Sequence, residues 1–185
     1  MATSLSEIEQ FLKEENLRYT LLDEYIRTSF ATDSYVDAEG DKSIFVVIKP
    51  EESGEYFKLI TPNLYSYLSG PHKAALFQAL LSISWKTKLL QFEYDERDGE
   101  IRGIVEFPLE DANLTRRQLL RCINGMVQII DEYHPIIMNA MRNGVIDFGE
   151  TGTGQSLDES RLAEEYYSFI GKKISAPRGK LELEE

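Results

Sequence analysis

The residues predict an α+β fold, on three observations. Two long segments, Leu76–Trp85 and Leu119–Met141, carry apolar residues at helical spacing. Two pairs of β-rich runs are each joined by turn chemistry, at Pro50–Gly54 and at Asp95–Gly99. Capping-box spacings open a shorter N-terminal helical pattern and the second of the long ones, at Ser6/Glu9 and Thr115/Gln118.

The chain has 185 residues, enough for one domain with an added element. At this size a fold buries roughly 70% of its extended-chain surface, so no covalent staple is required. Apolar residues make up 42% and charged residues 28%, the range of ordinary folded proteins. Lys and Arg number 20 against 32 Asp and Glu, a formal charge of −12. Nucleic acid and an anionic membrane surface are therefore excluded as expected partners, because no basic patch is available to meet phosphate. The single cysteine, Cys122, excludes a disulfide framework and a multi-cysteine zinc site. No apolar run approaches the roughly 20 residues of a spanning helix. Met1–Glu7 has neither the basic nor the apolar stretch of a signal peptide, and a cytoplasmic location is expected.

Taken in order, a helix is predicted over Ser6–Asn16, with Ser6 and Glu9 as its capping box and Leu5, Ile8, Phe11 and Leu12 as its apolar stripe. Tyr19–Leu22 and Tyr25–Thr28 read as strands on β-branched and aromatic content, although Leu17, Leu21, Tyr25 and Ser29 also fit a continued helix. Ala31–Lys42 is a loop. Ser43–Lys49 is a strand, nearly continuous in apolar residues and so placed centrally, and Glu55–Thr61 is its hairpin partner. A second helix begins near Ser69-Gly70-Pro71, with Pro71 in its first turn, and ends near Thr87. Leu89–Tyr94 and Glu100–Phe107 form a second hairpin, stopped by Pro108. The third helix starts at a Thr115/Gln118 capping box, carries Pro135 as a kink, and stops at Asn143-Gly144. Val145–Phe148 reads as a short extended piece. Residues 149–155 form a Gly/Thr loop, Ser156 caps a helix reaching Ile170, and the rest is a charged tail. Residues 1–148 are thus one α+β domain, and 149–185 an appended loop, helix and tail.

Reaction chemistry finds little support. The loop Gly149–Ser156 precedes a helix and could cradle a phosphate, but no Gly-Lys-Ser/Thr follows it, so it reads as a connector. His72 and His134 lack a second ligand at metal spacing, and His134 falls on the apolar arc of the third helix as a packed neutral histidine. Cys122 lies on the same arc and reads as a small buried hydrophobe. Glu93, Asp95 and Glu106 fall on paired strands and could hold a cation or work as acid and base, but a solvated sheet face explains them better. No catalytic residue, cofactor or metal is assigned.

The widest signal is apolar. Leu76, Phe77, Leu80, Leu81, Ile83 and Trp85 span roughly 200° of the second helix, with Ala75, Ala79 and Ser82 opposite. The third helix shows an arc of similar width. A helix on one sheet face needs about half of that. Either each helix is buried on two sides within its own chain, or part of each arc meets another molecule.

The words Leu90-Gln91-Phe92-Glu93-Tyr94-Asp95, Asp98-Gly99-Glu100-Ile101-Arg102 and Glu106-Phe107-Pro108-Leu109-Glu110-Asp111, followed by Leu114-Thr115 and Gln118-Leu119, resemble the YbjN-type family of bacterial proteins and its DUF1821 cyanobacterial relatives, over roughly Leu5–Gly144. Those are similar in fold to type III secretion chaperones. The resemblance implies a curved antiparallel sheet with helices packed on it, here with a C-terminal helical extension. It also implies a homodimer, no cofactor and no transferable catalytic residue. The expected function is a non-enzymatic protein-binding module, chaperone-like or a regulatory adaptor, whose acidic rim favours basic partners. Met126, Ile129, Tyr133 and Ile136 of the third helix, with Leu76, Ile83 and Trp85 of the second, are the expected interaction residues. The rival is a small-molecule sensor with a helix–sheet pocket lined by Phe92, Trp85 and Tyr94. An enzyme built on Glu93, Asp95 and Glu106 ranks last.

Overall fold

Ser4 opens the first helix, α1 (Leu5–Glu14), in a computed structural model that describes residues 2–149. Its capping box pairs Ser4 with Glu7, two residues earlier than the Ser6/Glu9 pair expected. Glu9 is committed elsewhere, accepting from the Tyr19 hydroxyl at 2.6 Å and pairing with Lys13 at 3.0 Å. The ambiguous stretch after α1 forms strands, β1 (Thr20–Leu21) and β2 (Ile26–Ala31), paired antiparallel. Then follow β3 (Ser43–Glu51), a single 3-10 turn over Glu52–Gly54, β4 (Tyr56–Ser66), α2 (Lys73–Lys86), β5 (Gln91–Tyr94), β6 (Glu100–Pro108) and α3 (Arg116–Asn143). The turn between β3 and β4 needs Gly54, whose φ is +94° and whose carbonyl accepts from the Thr3 N–H at 3.0 Å.

Among the described residues, one antiparallel sheet holds the six strands, in the order β1-β2-β3-β4-β6-β5. β3 is central, as its composition predicts, yet only alternate residues are buried: Ile44, Val46 and Ile48 inward, Phe45 and Val47 outward. The same alternation buries Ile26, Thr28 and Phe30 of β2 and Phe57, Leu59 and Thr61 of β4. The β4–β6 register shifts between Thr61 and Tyr65, an irregularity of the kind that bends a strand. It supplies a local source for the curvature the resemblance implies.

α3 packs on β6, α2 and α1, and α2 packs on β5 and α3. The sandwiching of α3 accounts for its wide apolar arc. Leu119, Cys122, Ile123, Met126, Ile129, Ile130 and Ile137 are all buried within the chain itself. The Thr115/Gln118 box forms as predicted, the helix continues through Pro135, and Gly144 ends it in the left-handed region at φ +69°. α2 starts later than expected. His72 is its N-cap, and Pro71 lies outside the helix. The Tyr67 hydroxyl accepts the His72 N–H at 3.1 Å and does the work of a capping side chain. Residues 145–148 form no strand, but Phe148 packs its ring 6.2 Å from that of Tyr133. The expected helix over 156–170 and the tail lie outside the described residues.

Candidate apolar docking face on the second helix

α2 is apolar on two opposite faces. Leu76, Ala79, Leu80 and Ile83 are buried and span roughly 100° of the wheel, the width one packed face needs. Ala79 therefore faces the core, not the polar side. Leu81 and Trp85 fall on the far side and are 72% and 89% exposed. With Ala74, Phe77 and Lys86 they line a shallow open depression along the helix. Positions 74, 77, 78, 81, 82 and 85 follow the i, i+3, i+4, i+7 ridge on which one helix receives another.

The electrostatics of this face differ from those of the chain. α2 contains no Asp or Glu, in a protein of net charge −12. Lys73 stands in its first turn and Lys86 in its last, with Lys88 just beyond. Lys73 is fixed by the Tyr94 hydroxyl at 2.6 Å and lies over the Tyr94 and Phe77 rings. Lys86 lies 5.0 Å above the Phe148 ring. The ends of α2 are thus locally basic in an acidic chain.

The seven expected interaction residues divide. Leu76, Ile83, Met126 and Ile129 are buried in the chain's own core, so in this fold they offer no surface to a partner. Tyr133 and Ile136 are half-buried, Tyr133 against the Phe148 ring, and Trp85 is exposed. Leu81 and Lys86, which join Trp85, were legible only as a wide arc and an acid-free helix. The pocket of the sensor reading does not form as drawn. Phe92 and Tyr94 pack against the core while Trp85 faces solvent.

The acidic trio is not brought together either. Glu93 pairs with Arg102 at 2.7 Å, Asp95 with Arg97 at 2.6 Å, and Glu106 with Lys58 at 3.2 Å. The Arg97 guanidinium and backbone N–H hold the Asp95 carboxyl down to about 2. Asp37, Glu39 and Asp41 do cluster, but Asp37 accepts the backbone N–H groups of Glu39 and Asp41 at 2.9 and 2.8 Å, which is turn chemistry.

The nearest approach to a catalytic pair is Tyr65 with His134, hydroxyl to Nδ1 at 3.1 Å. Both are buried, and Tyr35 closes over them with its ring 5.1 Å from His134. Burial lowers the pKa of His134, raises that of Tyr65 well above its ordinary value, and pushes Tyr35 up to about 12. Both side chains are buried, and His134 packs as the sequence predicts. Cys122 is likewise buried, and its thiol is pushed up to about 11.

No family model matches the chain, and no curated protein is similar to it in sequence. Among solved structures, its fold is similar to that of YbjN, a candidate transcription regulator from E. coli, at a TM-score of 0.50 and 9% identity, covering 73% of this chain and 94% of that one. A chain of the HopA1–SchA chaperone–effector complex aligns at a TM-score of 0.46 and 14% identity, covering 70% of this chain and 91% of that one. The YbjN likeness is one of fold, and that fold is the α+β architecture expected from the sequence. Among the described residues, no helix is long and apolar enough to cross a membrane.

Proposed function

We propose that this chain is a non-enzymatic protein-binding module, and that its docking face is the outer side of α2, which takes an amphipathic segment bearing acidic residues. One observation carries the reading. Leu81 and Trp85 lie 72% and 89% exposed on the helix face turned away from the core. Covering each such side chain fully stabilises a complex by roughly 1.5–3 kcal/mol. Association between separate molecules costs about 4–15 kcal/mol in lost freedom, so two anchors support a transient partner rather than a permanent one. Lys73, Lys86 and Lys88 select for acidic groups and raise the association rate of segments that carry them.

A peptide-display selection against the whole chain tests this reading. Enriched sequences should be amphipathic and acidic, and should lose binding to a Leu81→Glu variant shown to be folded by circular dichroism. Enrichment of basic peptides, or binding unchanged by the substitution, would refute it. A homodimer and a cytoplasmic location belong to the same reading, on the resemblance and the composition. Sedimentation equilibrium and cell fractionation test them.

A further inference from the structure

We infer that the chain's own residues 156–170 occupy the outer face of α2, so that the module carries a built-in competitor for its docking site. The inference rests on the docking reading above and names that face's resident ligand. Three observations support it.

The first is position. The described chain ends beside α2, with the Phe148 ring under Lys86, the neighbour of Trp85. Residues 149–155, Gly-Glu-Thr-Gly-Thr-Gly-Gln, can span up to about 24 Å, more than the roughly 21 Å length of the 14-residue α2. The second is fit. The pattern predicts a helix over residues 156–170, which would be about 22 Å long. On its wheel Leu162, Tyr166, Phe169 and Ile170 fall within about 100°, a stripe that only Glu159, in the first turn, interrupts. The third is charge. Asp158, Glu159, Glu164 and Glu165 stand against Arg161 alone, facing a helix that has lysines at both ends and no acid. A tether this short holds its segment at an effective concentration near millimolar, so contacts too weak for a separate partner suffice within one chain.

Trp85 is the chain's single tryptophan and reports directly on the face. The experiment compares the full chain with a full-length Leu162→Asp/Phe169→Asp variant, by tryptophan emission and acrylamide quenching over a dilution series. In the unsubstituted chain Trp85 should emit further to the blue and be quenched severalfold less, to the same degree at every concentration. Equal quenching in the two chains would overturn the inference. Protection that disappears on dilution would overturn it too, and would place a second copy on α2. A synthetic peptide of residues 156–170 is then added to the double variant. A blue shift, abolished when Leu81→Glu is also present, supports the face as a docking site even where the tethered segment does not fill it. Equal quenching together with no peptide response would sink both readings.

Discussion

The Tyr65 hydroxyl lies 3.1 Å from Nδ1 of His134, and the two rings stack 5.8 Å apart beneath Tyr35. This buried pair joins the irregular part of β4 to the middle of α3. It makes stability depend on pH. Burial depresses His134 below its ordinary 6.5, against the nearby Asp131 carboxylate, which raises it, and with Arg142, which lowers it further. Between the folded pKa and 6.5 the unfolded chain therefore binds more protons than the native one, and this contribution to stability rises with pH. It is fully present above about pH 6.5 and is lost as pH falls through the folded value. Denaturant midpoints measured between about pH 7.5 and about pH 5 should fall, and the fall should shrink in His134→Phe. Tyr65→Phe leaves the buried ring nitrogen unsatisfied and should cost about 1–3 kcal/mol.

Asp131 organises the long loop between β2 and β3. Its carboxylate accepts the backbone N–H groups of Asp33 at 2.9 Å, Ser34 at 2.7 Å and Tyr35 at 2.8 Å. Tyr35 then donates its hydroxyl to the Leu64 carbonyl at 3.1 Å, which pins the loop over the β4 irregularity. Asp131→Ala should lower stability by about 1.5–3 kcal/mol, the magnitude for a charge-assisted hydrogen bond. Amide exchange should quicken at Ser34 and Tyr35 first. Unchanged protection at those amides would show that the loop is held by Tyr35 packing alone.

Much of this was legible beforehand. The hairpins, the Thr115 cap and the Gly144 stop rest on local chemistry, which a sequence displays directly. Ser4/Glu7 and Ser6/Glu9 have the same capping-box spacing, so the local pattern does not choose between them; in the fold Glu9 is taken by Tyr19, a residue outside the helix. The division of α2 was missed for a related reason. Leu80 and Leu81 are adjacent and chemically identical, and only the placement of β5 and α3 decides that one is buried and the other exposed. Asp131 gave no signal, because its partners are backbone groups almost a hundred residues away. The docking face was visible as excess apolar width, but overall charge does not show that lysines stand at both ends of α2.

Cys122 is predicted to be inert in the native state. It is buried, and desolvation raises its thiol to about 11, so the reactive thiolate is scarce at neutral pH. Labelling by a maleimide or an aromatic disulfide should run at the rate at which the chain opens, and it should accelerate with denaturant. Rapid stoichiometric labelling of the native protein would show that this side of α3 is accessible.

Ile129 and Leu81 separate core from surface. Ile129 is 4% exposed and Leu81 is 72% exposed, although both lie on helices with apolar arcs of similar width. Ile129→Asp buries a charge with no partner, at a cost of several kcal/mol. Typical domains have only about 5–15 kcal/mol in reserve, so the variant should lose most of its stability and its helical circular dichroism on mild heating. Leu81→Glu places its charge on the solvent side of α2 and should leave the packing of the domain itself intact, so any loss beyond about 0.5 kcal/mol measures what covers that face. It should nonetheless abolish binding of acidic peptides, because it removes an apolar anchor and puts a like charge on the face. A folded Ile129→Asp protein that fails to bind would return the interface to α3. A destabilised Leu81→Glu protein would mean that something in the chain already covers that residue, which is the outcome expected if residues 156–170 dock there.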